Sequence, residues 1–156
     1  MLRRLVPLSA SVLLAACVSG GGAPPPLPKL AGDRGQPELA LLEHALTGYF
    51  AGAGATAPTT CAALSPTALT AEQEEALIVR FARLAPIARC RAQGSGVVDA
   101  ITGAPARLVQ LYDFTCRDAG HCAGWVAAGG APAMLYAMHF EGGTWRFAGD
   151  PRTVAE

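Results

Sequence analysis

The chain has 156 residues, 12 basic and 12 acidic side chains and 51% apolar residues, with alanine and glycine supplying much of that share. That length suits one domain of ordinary size, and the shortage of large apolar side chains suits a small core. No run of Lys or Arg follows Arg4, so the concentrated positive footprint that nucleic acid demands is missing and no such partner is expected.

The first 16 residues read as a secretory signal: Arg3 and Arg4 form a positive start, Leu5 to Leu14 an apolar run interrupted by Pro7, and Ala15-Ala16 a pair of small residues before Cys17. The run is too short to span a hydrocarbon core of about 30 Å as a stable helix. Leu14-Ala15-Ala16-Cys17 resembles the lipobox of bacterial lipoproteins. The resemblance implies a diacylglycerol on the Cys17 thiol, cleavage just before it, and acylation of the new amine. It places the remaining chain in the cell envelope, anchored through lipid on Cys17 with its domain in the periplasm. Val18 stands where an aspartate would mark inner-membrane retention in enterobacteria, which points to the outer membrane. Two or three chains on one residue make a permanent anchor, since each buried methylene adds about 0.8 kcal/mol.

Residues 17–36 read as a lipidated tether. Gly20-Gly21-Gly22 gives flexible chain and Pro24-Pro25-Pro26 an extended one, with a reach on the order of 40–60 Å. The globular domain is placed at 37–156. Leu39, Leu42, Leu46 and then Tyr49 or Phe50 recur at helical spacing, with Pro37 suited to a first turn. Gly52 to Thr60 reads as a loop and Ser65-Pro66 as the opening of a short helical turn. Thr70-Ala71-Glu72-Gln73 fits a capping box, Leu77, Phe81 and Leu84 line one helical face, and Pro86 is the expected stop. The acidic residues Glu72, Glu74 and Glu75 read as a solvated helix start.

After Arg91 the period changes from helical to alternating. Val97 to Ile101 is strand-like and Thr102-Gly103-Ala104-Pro105 a turn. Arg107 to Cys116 alternates, with Leu108, Gln110, Tyr112, Phe114 and Cys116 expected on one face and Val109, Leu111, Asp113 and Thr115 on the other. Trp125 to Ala128 and Ala133 to Phe140 follow, and Gly142-Gly143 marks a hairpin into a last strand carrying Trp145 and Phe147. The fold class is therefore α+β: N-terminal helices packed on a C-terminal antiparallel sheet of about four strands. This order, ending in Gly-Gly-Thr-Trp-Arg-Phe, is similar to small NTF2-like helix-plus-curved-sheet domains. The likeness is architectural and spans roughly 37–150. It implies a cone-like interior, and it selects no activity, because that family holds enzymes, binders and inert modules.

Cys61, Cys90, Cys116 and Cys122 remain once Cys17 is acylated. An even number in an exported domain points to two disulfides. Three connectivities are possible; Cys61–Cys90 with Cys116–Cys122 is preferred, the second closing a short loop at a strand end. The rival use is a metal site of Cys116, His121 and Cys122 completed by His44 or His139, but the spacing fits no standard zinc knuckle. No metal or cofactor is expected.

No Gly-x-Ser-x-Gly, His-Glu-x-x-His or phosphate-cradling glycine loop occurs, and Gly94-Ser95-Gly96 lacks the strand-then-helix setting of a nucleophile elbow. The expected role is a non-enzymatic envelope module that binds another envelope protein or serves envelope upkeep. The alternative is a small-ligand binder or enzyme whose cone-like pocket is lined by Asp113, Trp125, His139 and Trp145, with Tyr136 as a further aromatic.

Overall fold

A computed structural model describes residues 29–54 and 57–150. The signal sequence, Cys17 and residues 18–28 of the tether lie outside the described residues. Among the described residues no helix is long and apolar enough to cross a membrane.

The packed chain begins before Pro37. Leu30 opens a single 3-10 turn, Leu30–Gly32, and joins the core at 8% exposure. The Ala31 carbonyl oxygen accepts the Thr144 hydroxyl at 3.1 Å, and Ala31 N–H donates to Glu43. Residues 29–36, read from composition as the end of the tether, are thus docked on the domain.

Helix α1 spans Pro37–Gly52, with proline in its first turn and Leu39, Leu41, Leu42 and Leu46 fully buried. Its C-terminal end, the negative end of the helix dipole, meets a guanidinium from elsewhere: Arg83 donates to Phe50 O in the last turn at 2.8 Å and to Gly54 O just beyond it at 2.9 Å, and lies 4.8 Å over the Phe50 ring. Helix α2, Ala71–Arg80, starts with the expected box, Thr70 and Gln73 each bonding the other's backbone N–H. It stops six residues short of Pro86. Phe81 is extended, Leu84 bridges Thr60, and Ala85 N–H donates to Thr60 O at 2.8 Å. Pairing with a strand thus replaces the expected last turns of helix, and Pro86 independently disfavours a helical Ala85.

That strand, β1 (Thr60–Leu64), runs parallel to β4 (Arg107–Asp118), from Thr60 opposite Arg107 to Leu64 opposite Leu111. Strands β5 (His121–Ala128), β6 (Met134–Glu141) and β7 (Thr144–Asp150) complete a mixed sheet in the order β1-β4-β5-β6-β7. Strands β2 (Cys90–Gln93) and β3 (Gly96–Asp99) form a separate hairpin. The fold is α+β. The expected four-stranded antiparallel sheet is corrected to five mixed strands plus two, and the helices do not all precede the strands, because β1 lies between α1 and α2. The Gly142-Gly143 hairpin forms as read, a two-residue turn with both glycines at positive φ (+58° and +77°).

Alternation in β4 breaks at Asp113, whose φ is +49°. Tyr112 pairs with Trp125 and Thr115 with Ala123, so Asp113 and Phe114 together oppose Gly124. This is a β-bulge, and the extra residue exchanges the two faces beyond it. Leu108, Gln110 and Tyr112 therefore face away from the helices while Phe114 turns in toward the core, correcting the single face assigned to them. Gly124 makes room for that turn: a Cβ there would sit 2.8 Å from both Leu111 Cδ1 and Phe114 Cδ2.

Two disulfides close the chain, Cys61–Cys90 between β1 and β2 and Cys116–Cys122 across the β4–β5 hairpin. One core joins α1, α2 and the inner sheet face through Leu42, Leu46, Leu77, Leu111, Met138 and Trp145.

Candidate functional site

Helix α1 lies against β4, β5 and β7. Beside its apolar face runs a strip of smaller residues one helical row away, Ala40, His44, Thr47 and Gly48. Its His44, Thr47 and Gly48 border a cleft of about 640 Å³ whose other wall is Val126, Ala128, Met134 and Tyr136 on the inner sheet face and the Gly129 to Pro132 loop. A second hollow, of about 340 Å³, shares His44 and Thr47 and is bordered by Lys29, Glu43, Trp145 and Phe147.

His44 stands between the two hollows. Its imidazole stacks on Phe147 with centroids 4.3 Å apart and planes 11° apart, and meets the edge of Tyr136 at 5.5 Å. No hydrogen bond holds its ring nitrogens among the described residues. Burial against these rings pushes its pKa down, which favours the neutral imidazole, able to donate through one nitrogen and accept through the other. Glu43, at the far end, pairs with Arg80 at 3.2 Å. The arrangement is a largely apolar slot whose wall carries an imidazole free of hydrogen bonds among the described residues, and its volume lies within the roughly 300–1,000 Å³ of small-molecule sites.

The four residues expected to share a pocket do not converge. Trp145 is 2% exposed on the inner face and donates its indole N–H to Asp33 O at 3.0 Å. Asp113 is exposed at the bulge. Trp125 faces outward, half-buried and stacked on Tyr112. His139 also faces outward, on the next strand, 3.5 Å from Glu141. Alternation along β5, β6 and β7 places Trp145 on the opposite side of the sheet from Trp125 and His139. Of the aromatics weighed, only Tyr136 and Trp145 border the hollows. His44 is the residue that pattern reading passed over as a cleft wall. Its signal was the strip Ala40, His44, Thr47, Gly48 beside the leucine face.

The disulfide consumes both sulfurs of the weighed Cys116–His121–Cys122 metal site, and no three such donors gather around one point among the described residues. His121 instead takes Asp118 as partner, its Nδ1 2.9 Å from Oδ1. The Gly94-Ser95 segment is the β2–β3 turn, with Gly94 at φ +59°. Comparison with protein-family models, with curated proteins and with solved structures returns no match.

Proposed function

We propose that the chain is a lipid-anchored envelope protein whose domain is a non-enzymatic binding module, holding a small, largely apolar molecule in the cleft beside α1. The observation that supports this reading is the cleft itself: about 640 Å³, walled by Val126, Met134 and Tyr136, with the His44 imidazole beside them, without a hydrogen bond among the described residues. The apolar walls supply burial and the imidazole supplies orientation, the usual division of labour in ligand sites. The lipobox and the even cysteine number support the envelope placement.

Gly48 gives a clean test. It lies in the cleft wall, and a Cβ there meets nothing within 4 Å, so Gly48→Leu directs its side chain into the slot from an open position. The neutral fluorophore N-phenyl-1-naphthylamine should brighten with the natural chain and not with Gly48→Leu; equal binding by both would remove the cleft from consideration. The anchor has its own test, the intact mass of the membrane-extracted protein. A mass matching cleavage before Cys17 plus acyl chains supports it, and an unlipidated mass cut elsewhere removes it.

A second reading, docking to another envelope protein, draws on the outer sheet face. Tyr112, Trp125 and Leu135 lie in register across β4, β5 and β6, each half-buried. Cross-linking in native membranes from a cysteine placed at Leu135 tests it: recovery of the chain only alone counts against this reading.

A further inference from the structure

Two of the three histidines of the chain, His121 and His139, are direct partners across the antiparallel strands β5 and β6. Phe140 N–H donates to Gly120 O at 2.8 Å, which makes Gly120 and Phe140 a hydrogen-bonded pair. Pair types alternate along antiparallel strands, so His121 and His139 form a non-hydrogen-bonded pair, the closer kind, with Cα atoms about 4.5 Å apart. Both side chains leave the same outer face half-exposed, at 55% and 50%. Two histidines held at facing positions of a rigid ladder have already lost most of the backbone freedom that chelation would otherwise have to remove.

The neighbours fit the same purpose. Asp118 contacts His121 through Nδ1, at 2.9 Å and 3.1 Å from its two oxygens, leaving Nε2 as the uncommitted ring nitrogen among the described residues. A carboxylate on one ring nitrogen fixes the tautomer and raises the donor strength of the other, the usual outer-shell arrangement of metal-binding histidines. Glu141, two residues along β6 from His139 and 3.5 Å from its Nε2, places a second carboxylate on the same face. Arg117 on β4 and Arg146 opposite His139 on β7 bring two guanidiniums to the rim, and the two carboxylates offset them in number.

We infer that His121 and His139 form a surface site for a borderline divalent ion of the zinc, nickel or copper kind, a two-imidazole clamp completed by water. Imidazole selects this class over magnesium and calcium, which prefer oxygen donors. The site lies on the opposite sheet face from the cleft, so it stands or falls independently of the proposed ligand.

The test is calorimetric titration of the full-length chain with zinc, using Cys17→Ser throughout to remove the unpaired thiol. One equivalent should bind, an excess of magnesium should leave the isotherm unchanged, and His121→Ala and His139→Ala should each abolish it. Asp118→Asn should weaken binding by roughly tenfold to a hundredfold, the cost of a lost outer-shell partner. Both histidines are exposed, so the variants should keep the parent unfolding midpoint, which separates lost ligation from lost folding. Copper-loaded chain should show nitrogen hyperfine coupling from two imidazoles in its paramagnetic resonance spectrum. Absence of zinc binding, binding that survives either histidine variant, or displacement by magnesium would overturn the inference.

Discussion

Trp145 donates its indole Nε1–H to the Asp33 carbonyl oxygen at 3.0 Å, joining positions 112 residues apart. The bond fastens the segment before α1 to the last strand. A chain starting at Lys29 should match the unfolding stability of one starting at Cys17, whereas a chain starting at Pro37 should lose about 2–4 kcal/mol, the sum of one buried hydrogen bond and the burial of Leu30. Denaturant unfolding of the three lengths checks this, and equal midpoints for all three would show that the docked segment contributes nothing.

Asp99 organises the β2–β3 hairpin from a buried position, 1% exposed. Arg89 donates to it through two guanidinium nitrogens, Thr59 through its hydroxyl at 2.6 Å, and Ile101 through its backbone N–H at 2.8 Å. The Arg89 guanidinium first, then Thr59 and the Ile101 amide, hold its carboxyl well below the usual carboxylate range. A carboxyl lowered by folding stabilises the fold at pH values above its unfolded pKa, and that contribution is lost as pH falls through it toward the folded value. The denaturant midpoint of the natural chain should therefore drop below about pH 4. Asp99→Asn should be less stable at pH 7 and show a flatter profile across the acid window; an equally steep profile would place the acid sensitivity elsewhere.

The disulfides should differ in worth. Cys61–Cys90 closes a separation of 29 residues and Cys116–Cys122 one of 6. On the chain-entropy account the longer link contributes about 3–4 kcal/mol and the shorter about 2. Replacing each pair by alanine and comparing unfolding midpoints should rank them in that order. The reverse order would assign the stabilisation to native-state contacts instead.

Two glycines should respond oppositely to the same change. A Cβ at Gly124 would press on Leu111 and Phe114, so Gly124→Ala should destabilise by about 1–3 kcal/mol through overpacking. Gly48 sits inside α1 with open space around a Cβ, so Gly48→Ala should stabilise by about 0.5–1 kcal/mol through lost unfolded-chain freedom. Thermal unfolding of the two variants checks the signs.

Much of the architecture was legible where one physical signal acts locally. The leucine spacing set α1, Thr70 and Gln73 set the start of α2, and Gly142-Gly143 set the β6–β7 turn, because periodicity, capping and left-handed turns depend on residues a few positions apart. Of the three disulfide connectivities left open, loop length and position favoured the one that forms. The illegible parts depend on distant partners. Thr60–Leu64 carries neither alternation nor a run of β-branched residues, and only pairing with β4, some 47 positions on, makes it a strand. The candidate pocket failed for a related reason: Trp125, His139 and Trp145 were grouped by residue type, while the pleat assigns Trp145 to one side of the sheet and the other two to the opposite side.

The sequence by itself determined the starts of α1 and α2, the hairpin turn, the even set of cysteines and the α+β class, since each is decided by short-range sterics, hydrogen bonding or composition. Only the tertiary structure decided the parallel edge strand, the docking of residues 29–36 on Trp145, the bulge at Asp113, the cleft around His44 and the juxtaposition of His121 with His139. A one-residue slip in register exchanges the two faces of a strand, and no pattern within β4 announces that Asp113 is the residue that slips.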